Sequence, residues 1–453
     1  MKMEEYLDVM EEQIRCKQAR MGVREELKGH MEDQMDAYLL QGMTPEEAEA
    51  AAVMDMGDPV ETGNDLDRIH RPKMPWKSIG IIIGFSLVAF ILQYVLRISE
   101  PSQEGMLSEW IPGGDLRYLI INMIGWGIMV GICYLDYTRI GKYADWLMVL
   151  GVIGMMMSGH VANQVNGHHY FIWFFGISIS LDMLSFLFVP LYGAILYRYR
   201  GQGYRAIAWG ILWMLPSVCL VMSRGRMLLA FTIGITYMVI LTAAICKSWF
   251  VISKKITLGI LWAANLILPL LWGIYIMSQG ASYQKNRLQV LLNPYGTEAG
   301  YQVVMLKKLL AGSRMVGTKP GFLQDAHGVV ETGNYVLSMI CAYYGVLIAV
   351  ILAAGIVMLF CRFFQKSLRQ KNQMGMIMGI GVSAVFLVEL LLYIPGNMGW
   401  VLGDAYCPFL GYGGSGIMVT YILLGILLSV YRYENVASEM KMEKRIRIQV
   451  IKS

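Results

Sequence analysis

The sequence predicts an all-α, polytopic membrane protein of about ten transmembrane helices, preceded by a small cytoplasmic helical module. Three observations predict it. Apolar stretches of about 18–25 residues recur from near residue 77 to residue 432, each long enough to cross a hydrocarbon core of about 30 Å. Most of them lack the alternating polar face of a soluble core helix. Charged residues make up only 16% of the chain and hydrophobic ones 56%, a balance that excludes an ordinary soluble domain.

Residues 1–72 differ from the rest: they are charged, Met-rich and without a cleavable signal pattern. Apolar residues at helical spacing predict helices over Met3–Cys16 and Val23–Leu40. In "GMTPEEAEAAAVMDMGDP", Thr44 is an N-cap, Pro45 takes the first helical position and acids fill the first turn. Gly57 and Pro59 stop that helix, and a short one follows through Leu66 to Ile69. The stretch resembles the helical prefix domains placed before bacterial permeases and signalling membrane proteins. That resemblance implies a regulatory or docking role toward a cytoplasmic partner.

Spans are expected at 78–97, 118–135, 146–159, 171–197, 206–222, 227–246, 256–278, 335–361, 375–394 and 412–431. Basic residues then fall on alternate loops: Arg139 and Lys142; Arg198, Arg200 and Arg205; Lys247, Lys254 and Lys255; Arg362, Lys366, Arg369 and Lys371. The opposite short loop, 99–117, is acidic. The positive-inside rule therefore puts both termini in the cytoplasm, including a basic tail at 434–453, around a membrane domain at 77–433. The loop 279–333 lies outside; a loop of that length in a compact bundle is usually functional. The seven cysteines are scattered and form no C-x-x-C pair, as expected of small buried hydrophobes. The slight basic excess reflects loop bias and gives no sign of nucleic-acid binding.

The densest glycine cluster, Pro408–Gly416 ("PFLGYGGSG"), stands between two apolar runs. It has neither the Lys-Ser/Thr nor the preceding strand of a P-loop. Non-helical backbone at membrane depth needs protein or a water-filled cavity around it. The stretch is thus expected to wall an external cavity, either as a tight helix-entry turn or with Ser415 and backbone amides meeting a polar headgroup.

Three stretches together resemble the SEDS family, the FtsW/RodA/SpoVE type of cell-shape, division and sporulation proteins. The first is Arg287-Leu-Gln-Val-Leu-Leu-Asn-Pro294 with Gly300-Tyr301-Gln302 and Gly317. The second is Asn334-Tyr-Val-Leu-Ser-Met-Ile-Cys-Ala-Tyr-Tyr-Gly345, at the start of the eighth span. The third is "PFLGYGGSGIMVTYILLGILLSVYR". The resemblance extends over roughly 80–435 in layout and is specific over about 285–432. It implies polymerisation or binding of lipid II, a disaccharide-pentapeptide on undecaprenyl pyrophosphate, beside a class B penicillin-binding transpeptidase. It implies no particular cofactor beyond Arg or Lys, with or without a divalent cation, to hold the departing pyrophosphate charge. It also implies that Arg287, Tyr301, Gln302, Gly317 and Ser415 contact substrate.

One departure decides what the resemblance is worth. Asn334 occupies the position of the family's presumed catalytic Asp, and an amide cannot accept a sugar hydroxyl's proton at neutral pH. Glu331, three residues away, and Asp325 are the substitute bases, with Asn334 positioning the acceptor. The alternatives are a non-catalytic scaffold or regulator and a transporter of a lipid-linked precursor. Asp182 and Glu389 are charges within apolar spans, which either pair structurally or serve function. Arg224 and Arg226 in one short turn suit an anionic headgroup or interfacial snorkelling. His160, His168 and His169 share one loop but lack the further ligand that a metal site needs, so no metal site is expected.

Overall fold

The computed structural model describes residues 1–98, 114–158, 163–165, 168–174, 177–280, 300–322, 325–326, 335–400, 405–411, 413–434 and 436, with 282, 285, 290, 293 and 295 singly. Four helices open the chain: α1 (Met3–Gln13), α2 (Lys17–Leu40), α3 (Pro45–Asp55) and α4 (Pro59–His70). Thr44 and Glu47 form the capping box that starts α3. Gly57 ends α3 in a left-handed conformation (φ 74°). Pro59 then opens α4, with Asp58 as its N-cap, so that helix is longer than its apolar residues suggest. Tyr6, Leu7 and Met10 of α1 and Ile14 just after it are fully buried against Ala19, Val23, Met31 and Val53. Gly63 of α4 approaches α1 so closely that a Cβ would stand 2.7 Å from the Met10 carbonyl. Arg24 ties α2 to α1 through Glu4, Asp8 and Glu11 at 2.6–2.9 Å.

The rest is an apolar bundle. Its helices begin with α5 (Trp76–Ile98), α6 (Gly114–Tyr134), the short α7 (Tyr137–Lys142) and α8 (Ala144–Ser158). They continue with α9 (Leu181–Arg198), α10 (Tyr204–Ser223), α11 (Met227–Cys246) and α12 (Lys254–Gln279). After the long loop come α13 (Tyr301–Leu310), α14 (Val336–Tyr344), α15 (Val346–Leu368), α16 (Gln373–Asn397) and α17 (Gly414–Arg432). Eight of these are long and apolar enough to cross a membrane, and α6 and α8 add shorter apolar helices at two further expected positions. Helices α16 and α17 are mostly buried by protein, whereas the apolar window of α12 is buried nowhere.

Two segments depart from the expected spans. An antiparallel sheet is formed by β1 (Asn163–Val165), β2 (His168–Phe174) and β3 (Ile177–Ser180), in the order β1-β2-β3. The span expected at 171–197 is helical only from Leu181. "HHYFIWF" and "ISIS" are rich in aromatic and β-branched residues, and an apolar run of that kind does not separate strand from helix. The span expected at 335–361 is two helices, α14 and α15, broken at Gly345.

The amino-terminal helices grip the end of α17. Val436 is buried in their core and Tyr433 packs on it. The Lys73 amide donates to the Arg432 carbonyl at 3.2 Å, and the Arg432 guanidinium sits 4.3 Å from the Tyr134 ring centroid. The glycine-rich turn lies at the other end of α17.

Candidate functional site

The turn at 405–416 is built around Tyr406. Its ring lies against the backbone of both Gly411 and Gly416; a Cβ there would stand 2.3 and 2.5 Å from it. Phe409 takes a left-handed backbone (φ 72°), uncommon for a bulky residue, which directs its carbonyl to the Tyr118 hydroxyl (3.1 Å) and the Gln93 amide (3.4 Å). Glu389 on α16 accepts the Tyr406 backbone N–H at 2.6 Å. The glycines therefore make room for a tyrosine, and the buried carboxylate is part of the turn's scaffold. Ser415 Oγ accepts the Ser180 amide at 3.1 Å, joining the first turn of α17 to the end of β3.

The second wall is the break at Gly345. Residues 314–319 run past it as a strap. Gly317 and Lys319 donate to the carbonyls of Tyr344 and Ala342 at 2.9 and 2.8 Å, and Val346 and Leu347 donate to Arg314 and Met315 at 3.0 and 3.1 Å. Four backbone groups that two helix ends would leave orphaned are thereby satisfied. Gly317 has φ 89°, so its glycine is needed for the strap's path. Tyr301 and Gln302 open α13 and are exposed, while Val303, Leu306 and Leu309 bury its other face.

Of the candidate bases, Asp325 is described. It bonds the nearly buried Lys319 ammonium at 2.7 Å and that of Lys308 at 3.2 Å. The hydrogen bond from Lys319 is the larger influence holding its carboxyl below the usual carboxylate range. Such a group is a poor proton acceptor and a good anchor. Arg287, Glu331 and Asn334 lie outside the described residues, as does His160. Asn334 immediately precedes Tyr335, which is buried one residue before α14 begins.

Asp182 sits fully buried in the first turn of α9 and accepts from Arg226 Nε at 2.9 Å. Arg224 is likewise buried; it donates to the Met155 carbonyl and to Ser158 Oγ, closing the end of α8. Snorkelling expected of both arginines gives way, for Arg224, to capping a neighbouring helix. Among the described residues no three His, Cys, Asp or Glu side chains converge as a metal site would require.

This geometry defines a class: a polytopic helical membrane protein whose glycine-rich turn and strapped short helix wall the bundle opposite its amino-terminal module. The family described as FTSW_RODA_SPOVE, cell cycle protein, matches residues 78–436, and the chain belongs to it. It is a SEDS-type membrane protein of cell-wall synthesis. A probable peptidoglycan glycosyltransferase FtsW of Enterococcus hirae is 25% identical over 400 residues, covering 83% of this chain and 95% of that protein. The probable FtsW of Bacillus subtilis (strain 168) is 21% identical over 387 residues, 80% of this chain and 91% of that one. Among solved structures, a chain from "Structural coordination of polymerization and crosslinking by a peptidoglycan synthase complex" superposes with TM-score 0.65 at 16% identity. That match covers 80% of this chain and 98% of the other. The rod shape determining protein RodA of Thermus thermophilus gives TM-score 0.55 at 14% identity over 79% of this chain and 97% of its own.

Proposed function

We propose that this chain polymerises lipid II at the outer face of the bacterial cytoplasmic membrane, with both termini inside. The observation that supports it most is the short α14, which begins two residues after Asn334 in the chain and whose far end is strapped by the loop that supplies Tyr301, Gln302 and Gly317. The chemistry requires an acceptor sugar hydroxyl to lose its proton while attacking an anomeric carbon, with inversion, as a pyrophosphate departs. A carboxylate base accelerates such a step about 10²–10⁴-fold. Asp325 is held by two lysines, so Glu331 is the proposed base and Asn334 orients the acceptor. Arg287, alone or with a divalent cation, neutralises the leaving pyrophosphate, with Gln302 and Ser415 contacting the headgroup. A class B penicillin-binding transpeptidase is the proposed partner.

The buried contact of Val436 with the amino-terminal core supports a second role for residues 1–72, as a docking module for a cytoplasmic regulator acting through α17. The experiment is polymerisation of lipid II by purified protein, alone and with a transpeptidase. Glu331→Gln should abolish product and Asn334→Asp should raise it, while Asp325→Asn leaves residual turnover. If no variant makes polymer and deleting residues 1–70 abolishes a cell-shape or sporulation phenotype, the protein is a scaffold. Headgroup movement across liposomes without polymer would identify a transporter.

A further inference from the structure

Three buried polar side chains stand at four-residue intervals on α16: Glu389, Tyr393 and Asn397. That spacing puts them on one helix face, about 6 Å apart along the axis. Glu389 faces one wall of the site, and Tyr393 and Asn397 face the other. Glu389 accepts the Tyr406 amide of the glycine-rich turn at 2.6 Å. The Tyr393 hydroxyl accepts the Leu337 amide at 3.3 Å, and Asn397 Oδ1 accepts the Ser338 amide at 3.1 Å. Ser338 Oγ also donates to the Asn397 carbonyl at 2.6 Å, and Asn397 Nδ2 returns to the Tyr393 carbonyl at 3.1 Å.

The amides of Leu337 and Ser338 are first-turn donors of α14, which an ordinary helix satisfies with its own N-cap side chain. Here Tyr335 supplies no side-chain cap, and the donors are met from α16 instead. Polar groups in the middle of an apolar helix are costly unless paired. All three are paired: Glu389 with the glycine-rich turn and with Thr232 of α11, Tyr393 and Asn397 with the first turn of α14.

We propose that Glu389, Tyr393 and Asn397 are a positioning ladder that joins the glycine-rich turn and α14 into one rigid unit. Displacing one wall then loosens the other, about 12 Å along α16. The consequence for catalysis rests on the polymerase proposal, because α14 follows directly on position 334 in the chain. The coupling itself does not.

Two native cysteines report the two walls. Cys407 is buried beside Tyr406, and Cys341 is half-buried on α14. Full-length protein in lipid nanodiscs is labelled with a maleimide, and peptide mapping separates these two thiols from the other five. Losing a buried hydrogen bond should raise local opening, so Glu389→Leu speeds Cys407 labelling about tenfold. The ladder predicts that Cys341 labelling also rises in Glu389→Leu, and that Tyr393→Phe raises Cys407 labelling as well as Cys341. Glu389→Gln, which keeps an acceptor oxygen, stays near wild type. In the double variant the two effects combine to less than their product. Each variant speeding only its own reporter, or effects that multiply, would overturn the proposal. Should Glu389→Leu fail to fold, Tyr393→Phe and Glu389→Gln decide it, being nearly isosteric. If polymer forms, Tyr393→Phe lowers kcat with an unchanged KM; if it does not, the labelling result still stands.

Discussion

Replacing Gly345 with alanine tests the strap that builds the loop wall. Gly345 has φ 107° and ψ 160°, a backbone region that only glycine occupies freely. Forcing alanine there costs about 1–3 kcal/mol. The added Cβ would also stand 2.6 Å from the Met315 carbonyl oxygen and 2.6 Å from Val316 Cα. Both are backbone atoms of the strap and cannot rotate away, so overpacking adds about 1–3 kcal/mol. The sum, about 2–6 kcal/mol, falls on a strap held by four backbone hydrogen bonds. The strap should detach before the bundle unfolds. Hydrogen exchange followed by mass spectrometry should show residues 314–319 and 342–348 exchanging at least about tenfold faster, with the α16–α17 core unchanged. A folded Gly345→Ala protein with wild-type protection in both segments would refute the reasoning.

Gly416→Ala drives a Cβ into the Tyr406 ring and should lower thermal stability by about 1–3 kcal/mol, measured by detergent melting. Tyr406→Leu in the same chain should recover most of it. Asp325 has a folded pKa held below its unfolded value near 3.9, so its contribution is present above that value and lost as pH falls through the folded one. Protection of residues 308–322 should therefore fall below about pH 4, and Asp325→Asn should remove that dependence. Val436→Asp removes an apolar contact worth about 1.5–3 kcal/mol and buries a charge, which should release the amino-terminal module from α17. Faster proteolytic cleavage between His70 and Trp76 would report it; unchanged cleavage would show that the module docks without this contact.

Long-range apolarity made the bundle legible, and dense glycine marked the turn. What the glycines do was not legible, because the fit depends on Tyr406 standing between Gly411 and Gly416. The break at Gly345 hid inside an apolar run in which only the approach of residues 315–316, about thirty positions away, demands glycine. Strands β1, β2 and β3 hid for a related reason: a short apolar run fits strand or helix until its neighbours are known. Asp325 was visible as an acid in a polar loop, but its two lysine partners make it an anchor and appear only on folding. The spacing of Glu389, Tyr393 and Asn397 was a readable signal. Glu389 alone drew notice, because tyrosine and asparagine cost less than a charge in an apolar helix.

The most direct test of the central claim is polymer formation from lipid II by the purified full-length chain with a transpeptidase partner, compared across wild type, Glu331→Gln and Asn334→Asp. The account predicts product from the wild type, loss with Glu331→Gln, and more product with Asn334→Asp. No polymer from any of the three, with the protein folded and membrane-embedded, would contradict it.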